Sequence, residues 1–272
     1  RLRERLYAGM AERGITGTVA DELFVKMKAF ANYGFPESHS VSFAYLVYAS
    51  AWIKFHEPAA FCASLLNAQP MGFWSPHTLV RDARRHGVVV HRPDVNRSLS
   101  DFDPVPADPE DPADRGAIVF GLSAVRNVGE SLVERIVDER EANGTFDDFF
   151  DFCDRVDLSV LNKRTVESLI KAGAFDSMGH PRKGLLQVHE QIIDTTVARR
   201  RKEAEGQFEL FAMDDSAASS DDGVESFRLP IPDVEFDKRQ RLAFEKEMLG
   251  LYVSDHPLMG VEAALRRRTD VT

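Results

Sequence analysis

Apolar residues recur at three- and four-residue spacing over most of residues 1–87, which predicts one helix after another. Leu2, Leu6 and Met10 mark the first helix, and Val19 to Phe30 the second. Tyr33-Gly34-Phe35-Pro36 then breaks the pattern, because proline cannot continue a preceding helix. Ser38 stands where a helix N-cap belongs, ahead of a segment with Ala44, Val47, Tyr48, Ala51, Trp52 and Phe55 on one face and Phe43 and Leu46 on the other. A helix apolar nearly all round is expected in the middle of a bundle. Pro58 opens a further helix through Leu66, and Ser75-Pro76 another through His86.

The period then changes. Val88 to Val90 and Ala117 to Phe120 read as short strands, forming a hairpin or strand pair around an acidic, proline-rich loop. Helices return from Gly121 to Arg200, including one that starts at Asn162-Lys163-Arg164 and stops at Gly173. Residues 203–232 are polar and rich in Asp and Ser, the composition of a flexible linker, and residues 233–250 are helical again. No internal repeat is visible. The expected fold class is mainly α with a small β-hairpin.

Charge adds a restriction. The 272 residues carry a formal net charge of −10, but much of it sits in two stretches. Asp101, Asp103, Asp108, Glu110, Asp111 and Asp114 form one, and Asp214, Asp215, Asp221, Asp222 and Glu225 the other, neither containing a base. The remainder is nearly neutral, so net charge does not exclude nucleic acid as a partner. Cys62 and Cys153 are far apart and belong to no CxxC pair, and the scattered histidines form no HExxH pair. A zinc ribbon and a disulfide scaffold are therefore not expected. The longest apolar run, Val41 to Trp52, is too short to span a bilayer, and the opening RLRERL is not a signal peptide. The expected setting is the cytoplasm, with the chain a piece of something longer.

Four constellations could carry chemistry. Ser38, His39 and Ser40 place two hydroxyls and an imidazole at a helix N-terminus, where free N–H groups and the dipole suit phosphate; an ordinary capped helix start is the alternative. Asn127-Val128-Gly129 puts two residues that tolerate positive φ around one apolar residue, ahead of a helix with Val133, Ile136 and Val137 on one face. That is the layout of a helix-hairpin-helix, whose backbone N–H groups grip phosphate without reading bases, or of an ordinary helical hairpin. Residues 155–203, with Lys163 and Arg164 among their bases, form a locally basic strip that could face a duplex or simply face solvent. Gln207, Leu210 and Phe211 lie in an isolated apolar peptide that could plug a partner's pocket or fold back on its own domain. Paired aspartates on adjacent strands are not evident, so no catalytic metal site is expected. Ser38 or Ser40 with His39 cannot act as nucleophile and base, since neighbours on a helix point about 100° apart.

These residues resemble a known family. Tyr33-Gly34-Phe35 to Ser38-His39-Ser40, Ala49 to Lys54 and Pro58 to Phe61 are similar to the fingers signature of the bacterial DNA polymerase III alpha subunit. Pro93 to Asn96, Phe120-Gly121-Leu122, Leu161 to Arg164, Lys171 to Asp176, Glu247 to Tyr252 and His256-Pro257-Leu258 extend the resemblance over essentially the whole chain. It implies template-directed DNA synthesis from deoxynucleoside triphosphates (dNTPs) on a primer-template duplex. The Mg²⁺ and catalytic aspartates would belong to a palm outside this chain, leaving no catalytic residue here and a piece inactive alone.

By the same resemblance, residues 1–87 are a helical fingers segment, 88–120 a small β region, and 121–202 a helix-hairpin-helix DNA-binding region. Residues 203–232 are a clamp-binding peptide and linker, and 233–272 a helix leading toward an OB-fold. Ser38, His39, Ser40, Tyr45 and Tyr48 would contact nucleotide. Arg126, Asn127, Val128, Gly129, Ser131, Lys163 and Arg164 would contact DNA. Gln207, Leu210 and Phe211 would bind the sliding clamp, with other replisome or lesion-bypass subunits as further partners and no membrane. Pro36-Glu37 stands where replicative members show Asn-Lys, which resembles the error-prone branch, whereas the second half resembles the replicative one. The alternative is a non-catalytic helix-hairpin-helix module of a repair scaffold.

Overall fold

A computed structural model describes residues 2–31, 37–204 and 229–255. The chain divides into two compact units, Arg1–Ile53 and Lys54–Thr272. In the first, α1 (Leu2–Glu12) and α2 (Thr18–Ala31) meet through Met10 and Ala20, the buried residues of this pair. Tyr7 and Phe24 bring their rings to 5.5 Å, Arg3 lies over both, and the Tyr7 hydroxyl donates to Asp21 at 2.8 Å.

The third helix, α3 (Glu37–His56), corrects an expectation. Its apolar residues are exposed rather than buried: Phe43 is 55% exposed, Val47 66% and Trp52 51%. A helix apolar on every side needs neighbours on every side, and the described residues do not supply them. The helix also begins at Glu37, so Ser38 lies inside its first turn and is not the N-cap.

The second unit starts with α4 (Pro58–Asn67) and α5 (Pro76–Arg85), the latter capped by Ser75 Oγ, which accepts from the Thr78 N–H. Both helices pack on a sheet of β1 (Val89–His91), β2 (Asp103–Val105) and β3 (Ala117–Val119), in the order β1-β3-β2. Of the two expected arrangements of the apolar runs, the strand pair forms and the hairpin does not. β1 runs parallel to β3, with Val90 opposite Ile118, and the antiparallel partner of β3 is β2. A parallel pair needs a long crossover. Residues 92–116 provide it, pinned on the way where the Val95 N–H donates to the Ala174 carbonyl at 3.0 Å.

The acidic stretch is thus part strand and part ordered turn. Asp114 accepts from the N–H groups of Asp108 and Gly116 at 2.8 and 2.9 Å, and Asp108 from Glu110 at 2.9 Å. The two backbone donors hold the Asp114 carboxyl below its ordinary range, against a small opposing effect of burial.

Beyond the sheet come a 3₁₀ turn (Leu122–Ala124), α6 (Glu130–Asn143), α7 (Phe149–Arg155), α8 (Lys163–Ala172), α9 (Arg182–Ala204) and α10 (Lys238–Leu249). One apolar core runs from Ala59 to Val253 and centres on α8. Phe146 packs on Phe152 at 5.1 Å, and Phe149 and Phe152 pack on Phe175 at 5.1 and 4.9 Å. Packing therefore crosses the expected boundaries at 87/88 and 120/121 without a break.

Residues 229–232 end the stretch read as linker and 233–237 begin the one read as helix, yet the helix starts only at Lys238 and residues 229–237 dock without helix on the start of α9. The Gly184 N–H donates to the Val234 carbonyl at 3.1 Å, and a Cβ on Gly184 would lie 2.0 Å from the Pro232 carbonyl oxygen. Gly184→Ala is expected to cost about 1–3 kcal/mol, as overpacking does. Hydrogen exchange should show residues 231–235 losing protection; unchanged exchange and melting would refute this close approach.

Candidate nucleic-acid interface

The segment from Val125 to Gly129 is a tight turn plugged into the core by its own apolar residues, Val125 and Val128, both buried. The Val128 N–H donates to the Val125 carbonyl at 3.1 Å, and Asn127 takes a left-handed conformation with φ 65°. It is the one non-glycine at positive φ among the described residues. Gly129, read as a second such position, is instead extended at φ −88° and ψ 151° and serves as the N-cap of α6. Asparagine tolerates the left-handed region because its short amide finds local partners. Here Asn127 Nδ2 donates to Ser168 Oγ at 3.0 Å, and the Thr165 hydroxyl donates to the Asn127 carbonyl at 3.3 Å. The turn is also tied to α10, since the Arg126 N–H donates to the Met248 carbonyl at 2.9 Å.

These ties leave one end of α6 open. Gly129 offers no side-chain cap, and the first turn closes only from Leu132 and Val133 back to the Gly129 carbonyl, at 3.0 and 3.2 Å. The N–H groups of Glu130 and Ser131 have no intrahelical acceptor, and both residues are exposed. Exposed donors at the positive end of a helix dipole favour an oxyanion, although the Glu130 carboxylate shares that end.

The start of α8 is different. The Asn162 side chain accepts from the N–H groups of Arg164 and Thr165 at 2.9 and 3.4 Å, so this end is already capped. Arg164 is exposed and has no side-chain partner among the described residues. Lys163 is engaged: its ammonium lies 2.8 Å from Asp194 and 3.6 Å from Glu190, and the Asp194 hydrogen bond raises its pKa.

The expected basic strip is broken up in the same way. Arg155 binds Glu139 and Asp151, Lys171 binds Glu167, and Arg199 binds Asp154. Arg200 donates to the carbonyls of Cys153 and Val156, and Arg182 is buried. Bases that look free in the sequence are anchors for helix ends and loops, because the carboxylates that hold them lie elsewhere in the chain or one turn away.

The residues expected at a nucleotide do not converge. His39, Ser40, Tyr45 and Tyr48 are all exposed on α3, the two tyrosines at 72% and 73%. His39 packs against Phe43 with ring centres 4.4 Å apart. At about 100° per residue, His39 and Tyr48 project from opposite sides of the helix, so one ligand beside α3 cannot touch both. Gln207, Leu210 and Phe211 lie outside the described residues, as do Tyr33 to Pro36.

Burial pushes the Cys62 thiol up to about 11, and the Cys153 thiol is also raised; neither is a ready nucleophile. Among the described residues no group of three or more His, Cys, Asp or Glu could hold a metal ion such as Mg²⁺. Among the same residues no helix is long and apolar enough to cross a membrane.

A feature the sequence did not reveal lies beside this region. Arg182 and Glu245, 2% and 0% exposed, meet inside the core at 3.5 Å. Arg182 also grips Asp176 with two nitrogens at 2.9 and 2.8 Å. No local spacing signals a pair separated by 63 residues.

The helix-hairpin-helix motif family matches residues 87–185, the stretch that holds this plugged turn and the uncapped start of α6. The chain is 41% identical over 262 residues to the DNA polymerase III subunit alpha of Saccharopolyspora erythraea, covering 96% of this chain and 21% of that protein. It is 39% identical over 262 residues to the same subunit of Mycobacterium tuberculosis, with the same coverage. Against the error-prone DNA polymerase of Nocardia farcinica it is 54% identical over 184 residues, 66% of this chain and 15% of that protein. The chain belongs, as a segment, to the family of DNA polymerase III alpha subunits and error-prone DNA polymerases. It spans about a fifth of the length of the curated alpha subunits it matches.

Proposed function

We propose that this chain is the part of a template-directed DNA polymerase that holds duplex DNA behind the site of synthesis. The observation that carries this reading is the open end of α6, where Glu130 and Ser131 present N–H donors beside the turn at Asn127. Main-chain donors bind phosphate whatever the base sequence, which suits an enzyme that must track every sequence it copies. Arg126 and Arg164 are exposed cations flanking this grip, and Lys163 contributes less because two carboxylates already hold it.

On this reading the first turn of α3, with Ser38, His39 and Ser40, serves the incoming dNTP, while Tyr48, on the side of the helix opposite His39, meets another surface of the polymerase. Gln207, Leu210 and Phe211 tether the enzyme to a sliding clamp, and replisome or lesion-bypass subunits complete its partners in the cytoplasm. In the complete enzyme Mg²⁺ supplies Lewis-acid chemistry at residues outside this chain.

A salt titration tests the duplex grip. In the complete polymerase, the logarithm of duplex affinity is expected to fall linearly with the logarithm of salt concentration. Arg164→Ala should reduce the slope by about one phosphate contact and weaken binding equally across sequences. A slope unchanged by Arg164→Ala, or a flat salt response in the wild type, would refute it.

A further inference from the structure

We infer that a second phosphate-binding site lies in the cleft between β1 and α10, independent of the hairpin. The cleft holds about 280 Å³ and is lined by four cations, Arg92, Arg182, Lys238 and Arg241, against two carboxylates, Glu245 and Asp255. Three of the cations have partners. Arg182 and Arg92 share Asp176, at 2.8 and 2.5 Å, and Lys238 pairs with Asp255.

Arg241 differs from them. Its Nε is buried and has no hydrogen-bond acceptor. An anion in the cleft cannot reach that shielded nitrogen, but the two terminal nitrogens of Arg241 are not buried and make no hydrogen bond or ion pair among the described residues, which leaves them as donors for an oxyanion. A guanidinium meets two phosphate oxygens with two parallel N–H donors, and Lys238 at the rim adds a point charge.

An adjoining cleft of about 290 Å³ shares Arg92 and adds Arg97 and His91, with Asp94 and Asp176 as its carboxylates. Arg97 is exposed and has no side-chain partner among the described residues. Burial and then Arg97 depress the His91 pKa, so His91 adds no charge near neutral pH. Arg97, Arg92 and Arg241 therefore mark a track along which successive phosphates of a strand can sit. A free phosphate or pyrophosphate needs only the Arg241 end.

The test uses the full chain with inorganic pyrophosphate at constant ionic strength. A pyrophosphate concentration ten times its Kd should raise Tm by about 3–6 °C. Arg241→Gln should abolish the rise, while Arg239→Gln, an exposed neighbour that does not line the cleft, should keep it. If Arg241→Gln does not fold, Lys238→Gln should reduce the affinity for pyrophosphate about threefold or more. Oligonucleotide binding identifies the source of the phosphate: a loss in both Arg97→Gln and Arg241→Gln assigns a strand, and a loss of the pyrophosphate effect alone assigns a free anion. No pyrophosphate-dependent rise in the wild type, or an equal rise in Arg241→Gln, would overturn the proposal.

Discussion

Glu245→Ala is expected to lower the melting temperature by about 6–20 °C, the largest effect of any single substitution considered. Glu245 is fully buried and accepts from the N–H groups of Val253 and Ser254, at 3.2 and 3.0 Å, and from the Ser254 hydroxyl at 2.6 Å. It faces the Arg182 guanidinium, which is held in place by Asp176 and by the Lys171 carbonyl at 3.2 Å. Burial opposes the Arg182 charge, but Asp176, Glu245 and Glu235 together raise its pKa above the ordinary value.

Removing one partner of such a pair leaves an uncompensated charge and orphaned N–H donors, which costs about 3–5 kcal/mol. At roughly 2–4 °C per kcal/mol for a unit of this size, that becomes the stated shift. Replacing both partners by apolar residues, as in Arg182→Met with Glu245→Leu, should recover much of the loss, because the penalty comes from the unpaired charge. Thermal melts of the two single variants and the double variant form the cycle. A Glu245→Ala protein that melts within a degree or two of wild type would show that the pair does not hold α9, α10 and residues 253–254 together.

The second large effect concerns the hairpin. Asn127→Val is expected to weaken duplex binding by the complete polymerase tenfold or more, whereas Asn127→Gly should stay within about threefold of wild type. Glycine adopts φ 65° without strain, so the turn and the open end of α6 survive, with only the Ser168 hydrogen bond lost. A β-branched side chain in the left-handed region costs about 1–2 kcal/mol and drives the turn toward another conformation. About 1.4 kcal/mol lost from phosphate contacts is a factor of ten in affinity. Binding of a labelled duplex, followed by anisotropy with circular dichroism as a control for folding, separates these outcomes. Equal affinity of folded Asn127→Val and wild type would remove the main-chain grip.

Much of this architecture was legible because its signals are local. Ser75 as a helix cap, Asn162 as the cap of α8 and Gly173 as its left-handed stop all follow from side-chain and backbone preferences within a few residues. Asn127 was recognisable as a turn residue for the same reason. The direction of the strand pairing was not, because two apolar runs on either side of a loop look alike whether they pair antiparallel as a hairpin or parallel through a crossover that supplies a third strand. Val105 and its neighbours lie in a stretch that reads as loop because it is acidic and rich in proline.

The basic strip failed on the same ground. Arg155 and Arg182 look like a duplex-facing surface until Glu139 and Glu245 arrive from other helices. The expectation for α3 failed in the opposite direction. Its all-round apolar character is real, but burial depends on what else packs there, and the described residues leave Val47 and Trp52 open.

Helix starts and stops, the left-handed turn and the family likeness were set by the order of the residues alone, since each depends on neighbours a few positions apart. Which bases are spoken for, in which direction the strands pair and where a guanidinium nitrogen is buried without an acceptor were decided only in three dimensions. Those outcomes depend on charges and backbone groups brought together across tens of residues, and no short-range preference encodes the meeting.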